Sequence, residues 1–338
     1  MVGKKLINDP EQVPLEAVEG LVAVNERWLR QVPGMAVVVR RGMPVPGRVG
    51  VVVGGGSGHE PLFTEFVGVG LADAAVAGAV FTSPGPDLIL EAVKAVDGGA
   101  GVLFVYGNYA GDNLNFGMAA DLAAGAGIQT ETVRVWDDIA SAPAADLEDR
   151  RGTAADLFVI KIAGAAAERR LSLAETCRVA AKARDNCRSL GVALTSCSLP
   201  GSKRPVFEIG DAEMMVGMGL HGEQGMETVP LSSADEAADV MVGRILDDLP
   251  LAPGDAVSLL VNGYGSTTRA ELHIVARRAV ATLKDRGLVL HDAIVGNYCT
   301  SLEMAGCSVT LMKMDDELTD LWGDEASSPG FATIRVAP

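Results

Sequence analysis

The sequence predicts an α/β protein of two α/β domains: an N-terminal one on a mostly parallel, doubly wound sheet and a C-terminal one on a mixed sheet. Three observations carry this. Short apolar runs alternate with stretches of helical period, which is the pattern of βαβ units. Polar, glycine-bearing junctions follow the apolar runs and lead into the next helix. The length, 338 residues, exceeds one typical domain and suggests two.

Residues 11–30 carry Val13, Leu15, Val18, Leu21, Val22, Val24 and Leu29 on one broad helical face. Val49–Val53 reads as a buried strand and leads into Gly54-Gly55-Gly56-Ser57-Gly58-His59-Glu60-Pro61. Ala74–Phe81 is a second strand, followed by Thr82-Ser83-Pro84-Gly85-Pro86-Asp87 and a helix over 88–96. Gly101–Tyr106 is a third, followed by Gly107-Asn108-Tyr109-Ala110-Gly111-Asp112-Asn113 and a helix over 116–126. Gln129–Val135 and Asp156–Ile162 read as further strands. Beyond these, Leu171–Leu190 reads as a helix, Val192–Ser198 as a strand and 204–222 as irregular. Helices follow at 234–246 and 270–286, with strands at 256–261, 288–298 and 308–314. The domain boundary is placed in the 171–190 helix, giving domains 1–183 and 184–338.

Hydrophobic content is 48% but aromatic content only 4%, so the cores are built from aliphatic side chains. Net charge is -16, from 44 acids against 28 bases, and no basic cluster exceeds a pair, so no nucleic-acid partner is expected. The five cysteines show no CxxC spacing; neither a zinc site nor a disulfide framework is predicted, and a reducing cytoplasm fits. Met1–Pro10 has no apolar signal core, and no run is long enough to span a membrane.

Three strand-to-helix junctions, 54–61, 82–87 and 107–113, carry polar residues suited to chemistry. In a parallel sheet all three lie along the carboxyl edge, where open α/β sheets bind ligands. His59, Ser83 and Asp112 are therefore candidate neighbours. Taken singly, each has a plainer reading: a loop histidine, a turn serine, and an N-cap aspartate. The glycine loop is not a P-loop: aligned on Gly58, His59 stands where the lysine belongs and Val53 where the first glycine belongs. Nor is it a dinucleotide fingerprint, because counting from Gly54 the last position is His59. A second glycine-framed histidine is His221, in Gly217-Met218-Gly219-Leu220-His221-Gly222-Glu223-Gln224-Gly225; a mobile surface loop is the equal alternative. His273 and His291 lack such a setting and read as structural. Asn262–Thr268 reads equally as an anion-binding turn and as a helix cap.

With these residues the chain resembles the substrate-binding subunit of dihydroxyacetone kinases. The likeness runs in order from Lys5-Leu6-Ile7-Asn8-Asp9-Pro10 through the GGGSGHEP loop, Ala75–Gly78 with Thr82-Ser83-Pro84, and Asn108-Tyr109 with Gly111-Asp112. It continues through Lys161–Ala167, Gly219–Glu223 and Thr300–Gly306. GGGSGHEP together with GMGLHGE is far more specific than any glycine motif alone.

The resemblance implies a division of labour. This chain holds a short ketose and binds no cofactor of its own; a nucleotide-binding, DhaL-like kinase subunit brings ATP or ADP with Mg2+. It implies a hemiaminal between His221 and the keto carbon, with Asp112 taking the proton of the reacting hydroxyl and His59 assisting. Gly56, Ser57, Gly58, Ser83 and Gly107 are the expected substrate-binding positions, and a cytoplasmic homodimer is the expected assembly. Covalent capture admits a ketone and rejects a polyol such as glycerol, which has no carbonyl. Three departures from the family pattern lie near the ligand. Gly107 stands where many members carry lysine, Leu62-Phe63-Thr64-Glu65 replaces a smaller segment, and Gln224 replaces a proline. They leave a tetrulose such as erythrulose open beside dihydroxyacetone, and the donor open between ATP and a phosphotransferase relay. The second function class is a ketose-sensing transcriptional coactivator of the same family, which need not keep the base; Asp112 with both histidines favours the enzyme.

Overall fold

In the computed structural model of the chain residues 4–333 are described, so parts of the N-terminal stretch and of the C-terminal domain read above lie outside the described residues. In chain order the elements begin with α1 (Val13–Val24), β1 (Leu29–Gln31), β2 (Val37–Arg40), β3 (Gly50–Ser57), β4 (Ala74–Val80), α2 (Pro86–Val96), β5 (Val102–Gly107), α3 (Ala110–Gly125) and β6 (Thr130–Val135). They continue with α4 (Asp156–Glu168), α5 (Leu173–Asp185), β7 (Cys187–Ala193), β8 (Glu213–Val216), β9 (Glu227–Pro230) and α6 (Ala234–Asp248). The last are β10 (Ala256–Gly263), α7 (Arg269–Asp285), β11 (Val289–Gly296), β12 (Gly306–Met314) and α8 (Asp316–Trp322).

The chain divides into two compact units. Of the described residues, the first comprises 7–135, 156–183 and 316–333; the second comprises 4–6, 136–155 and 184–315. The sequence expects one cut, at 183/184. The chain passes between units there, but also at 6/7, 135/136, 155/156 and 315/316. The reason is tertiary. Within the second unit, the Asp137 carboxylate accepts bonds from the Thr153 and Ala155 backbone and from the Ser189 hydroxyl of β7, which ties 136–155 to that sheet. Within the first, α8 returns to α4: Trp322 lies 5.1 Å from the Phe158 ring, and the buried Lys161 ammonium donates to the Leu321 carbonyl at 3.0 Å.

The first unit's sheet runs β1-β2-β4-β3-β5-β6, with β4, β3, β5 and β6 parallel and β1 and β2 antiparallel. Val52, Val76, Ile89, Val93, Phe104 and Phe116 join sheet, α2 and α3 in one buried core. Each such side chain contributes roughly 1.5–3 kcal/mol by leaving water. The second unit's sheet runs β11-β10-β12-β7-β8-β9, parallel only between β10 and β11. The predicted fold class, a mostly parallel sheet and a mixed one, is what forms.

Two local expectations are corrected. Asp156–Ile162 is not a strand but the start of α4, whose residues 156–167 are all buried. A helix buried on every face loses its amphipathic period, and a short apolar run then reads as a strand. The helix expected over Leu171–Leu190 stops at Asp185, and the next strand is 187–193 rather than 192–198. The loop before α7 is a cap: Thr268 Oγ1 accepts from the Glu271 backbone, and the Glu271 carboxylate accepts from the Thr268 backbone at 2.9 Å. Among the described residues no helix is long and apolar enough to cross a membrane. All five cysteines are outside any disulfide; four are buried.

Candidate active site

In the first unit β4, β3 and β5 are adjacent parallel strands, so the three junctions predicted from the sequence emerge side by side at their carboxyl ends. β3 carries Gly54, Gly55 and Gly56 because the neighbouring chain leaves no room for a side chain. A Cβ on Gly56 would lie 2.6 Å from the Thr82 nitrogen, and one on Gly55 would lie 2.4 Å from Phe63. The Ser57 hydroxyl donates to the Gly78 carbonyl at 2.7 Å, and the Phe81 N–H donates to the Ser57 carbonyl at 2.9 Å. Gly58 takes the left-handed conformation, φ +98°, and its N–H donates to both oxygens of Glu60 at 3.0 Å. That turn delivers His59, 4% exposed, stacked on Phe81 with ring centroids 5.0 Å apart.

Ser83 follows on the β4 junction. Its Oγ is shielded from solvent and has no hydrogen-bond partner among the described residues. A shielded, unsatisfied hydroxyl is costly unless a ligand meets it. Ser83 Cβ lies 3.4 Å from where a Cβ on Gly111 would stand, so the β4 and β5 junctions touch beside Asp112. Asp112 is not an N-cap. Tyr109 holds that position, and Asp112 is the third residue of α3, buried at 9% exposure. The helix N-terminus favours its negative charge. Burial, with the Asp112 charge adding to it, pushes the Tyr106 hydroxyl up to about 12. Gly107 ends β5; a Cβ there would meet the Tyr109 ring at 3.3 Å and the Asp156 carboxylate at 3.5 Å. Gly56, Ser57, Gly58, His59, Ser83, Gly107 and Asp112 thus share one sheet edge.

Sequence reasoning missed Asp156, a buried acid in the first turn of α4, because its segment reads as a strand. It also passed over Phe81, whose stacking on His59 no spacing rule reveals. The departures Phe63 and Glu65 are placed close to the loop. Phe63 packs on Gly55, and burial, with the Glu60 charge beside it, raises the Glu65 carboxyl. Burial likewise raises Glu60, against the pull of the Gly58 N–H.

In the second unit His221 sits half-buried on a loop held by its own backbone. Gly222 N–H donates to the Gly219 carbonyl at 3.0 Å and Gly219 N–H to the Glu223 carbonyl at 3.1 Å. The Ser301 hydroxyl donates to the Leu220 carbonyl at 2.5 Å. The His221 Nδ1 lies 3.0 Å from Glu223 Oε1. Burial opposes ionisation of Glu223, but the bond from His221 and the nearby charges win and hold its pKa at about 2. His273 and His291 are exposed, on α7 and β11. Among the described residues no cluster of three or more His, Cys, Asp or Glu side chains is placed to hold a metal ion.

The family profile of the Dak1 domain matches residues 19–330. The chain is 44% identical over 329 residues to the "PTS-dependent dihydroxyacetone kinase 2, dihydroxyacetone-binding subunit DhaK" of Listeria innocua, covering 97% of this chain and 99% of that one. It is 42% identical over 337 residues to an L-erythrulose kinase of Pectobacterium atrosepticum, covering 98% of this chain but 57% of that protein. The crystal structure of the native dihydroxyacetone kinase of C. freundii superposes with TM-score 0.90 at 32% identity, covering 100% of this chain and 63% of that one.

Proposed function

Since the chain belongs to the Dak1 domain family, we propose that it is the ketose-holding subunit of a kinase that phosphorylates the terminal hydroxyl of a short ketose. The observation that carries this reading is the gathering of Ser57, His59, Ser83 and Asp112 at the carboxyl ends of three adjacent parallel strands. His221 forms the reversible hemiaminal: its Nε2 lone pair attacks the keto carbon, and a polyol, with nothing to attack, is excluded. Asp112 takes the proton of the terminal hydroxyl as it attacks phosphorus. Its place in the first turn of α3 favours the negative charge that task needs. His59, steadied by Phe81, hydrogen-bonds the substrate and assists the proton's passage. Ser83 Oγ meets a substrate hydroxyl, and the backbone of Gly56–Gly58 and Gly107 lets the ketose approach closely.

Phosphoryl transfer asks chiefly for positioning and charge neutralisation. The donor nucleotide with Mg2+ comes on a separate, DhaL-like subunit and neutralises charge on the transferring phosphoryl group. Gly107 lacks the lysine donor that many family members place there, so the substrate class is a triulose or tetrulose. The deciding experiment is a coupled assay of this chain with its cognate nucleotide subunit, run once with ATP and once with a phosphotransferase relay as donor, on a panel of dihydroxyacetone, D- and L-erythrulose and glycerol. Turnover of a ketose but not of glycerol is expected; no turnover of any ketose would overturn the reading.

A further inference from the structure

One carboxylate ties His221 to its own loop. Glu223 uses both oxygens: Oε2 accepts the His221 backbone N–H at 2.9 Å, and Oε1 lies 3.0 Å from His221 Nδ1. The Arg151 guanidinium stands behind it, 3.8 Å from Oε2. Arg151 is itself held by Asp138 Oδ2, through Nε at 3.0 Å and Nη2 at 2.7 Å, and its Nη2 reaches the Gly217 carbonyl at 3.4 Å. The arrangement fits only because residue 219 has no side chain. A Cβ there would stand 2.1 Å from Glu223 Oε2 and 2.4 Å from Arg151 Nη1. An ionised carboxylate only accepts hydrogen bonds, so the neutral ring must place its proton on Nδ1 and its lone pair on Nε2.

We propose that Glu223 is the positioning residue of His221, holding its imidazole in the Nδ1–H tautomer so that Nε2 is the nucleophile. This rests on the reading of His221 as the ketose-capturing group. In the addition, the Nε2 lone pair forms the bond to the keto carbon and the carbonyl π pair moves to oxygen, which takes a proton from water. The ring, made cationic by the new bond, is stabilised by the ionised Glu223 carboxylate and then releases its Nδ1 proton to water. The adduct is neutral and no proton is gained or lost overall. Glu223 thereby orients the ring before attack and stabilises the positive charge that attack creates there, as the orienting carboxylate does for histidine elsewhere.

The test is 15N NMR of histidine-labelled protein, which reads the tautomer directly; the chain has only 4 histidines, and His221→Ala assigns the signal. Adduct affinity is read by titration with [2-13C]dihydroxyacetone and the matching erythrulose. In Glu223→Gln one oxygen must serve two N–H groups. The Nδ1–H tautomer should give way to a mixture, and adduct affinity should fall by roughly 10–100-fold. Gly219→Ala is the second variant. It displaces flexible side-chain ends rather than backbone, so it should fold normally and shift the tautomer in the same direction. Wild-type tautomer and affinity in both variants would overturn the proposal. The tautomer is read without ligand, so it decides the role of Glu223 independently; a wild-type chain that forms no adduct with any ketose would overturn only the functional reading.

Discussion

Gly78, near the end of β4, is where two junctions of the candidate site rest on each other, and Gly78→Ala tests that arrangement. A Cβ at this position would lie 2.0 Å from the Thr82 carbonyl oxygen, 2.7 Å from the Pro84 nitrogen and 2.8 Å from the Ser83 carbonyl carbon, all backbone. Ordinary contact begins near 3.4 Å, so the 82–84 segment must withdraw by about 1.4 Å from the oxygen's present position. That movement strains the Phe81 N–H to Ser57 carbonyl and Thr82 N–H to Ala79 carbonyl bonds, 2.9 and 2.8 Å long. Overpacking of this kind costs about 1–3 kcal/mol. For a unit of this size about 2 kcal/mol lowers the melting temperature by roughly 4–8 °C. The same shift moves Ser83 and the Phe81 ring under His59, and a displacement of about 1 Å costs on the order of 100-fold in turnover. Thermal and urea unfolding of the first unit measures the first effect, and kcat/KM in the coupled assay the second. Gly117→Ala is the control: it lies inside α3 with nothing within 4 Å, so it should be neutral or stabilising by up to ~1 kcal/mol. A Gly78→Ala protein that melts with the wild type, while Gly117→Ala behaves as stated, would refute the packing argument.

Asp112→Asn should keep the ketose adduct, seen by 13C NMR, and lose at least about 100-fold in phosphoryl transfer; near-normal turnover would remove it as the base. Asp73→Ala should destabilise the first unit by about 3–5 kcal/mol, measured by urea unfolding, because it strips a fully buried acid from Arg48, 2.8 Å away, and leaves a buried guanidinium with only the Glu168 carboxylate. A loss below about 1 kcal/mol would show that the remaining partner suffices. Burial pushes Asp138 up to about 6, Arg151 pulling the other way. Its contribution to stability is therefore complete below the unfolded value near 3.8 and is lost as pH rises through 6, about 3 kcal/mol in all. Asp138→Asn should flatten the fall in stability of the second unit between pH 4.5 and 6.5; an unchanged slope would assign it to another group.

Much of the site was legible because its signals are local. Glycines at 54–56 and 58 mark a backbone pressed by its neighbours and turned sharply, and both causes are found there. Three polar junctions after three apolar runs imply one sheet edge, given that the sheet is parallel. The identity of α4 was not legible. Its period is erased by burial on all sides, and with it went Asp156 as a neighbour of Gly107. The acid of the His221 loop was visible as a motif letter, but its task depends on Arg151, 72 positions earlier, and on the empty side of Gly219.

What the chain determines by itself is the alternation of strand and helix, the turns that only glycine permits, and which titratable groups are offered at those turns. These depend on residues close in sequence, through backbone sterics and apolar period. The tertiary structure alone decides which side chains meet. It stacks Phe81 on His59, shields the Ser83 hydroxyl, sends 136–155 and 316–333 back across the expected boundary, and stands Arg151 behind the carboxylate of the His221 loop. Those outcomes depend on packing and desolvation among groups distant in the chain, which no local pattern encodes.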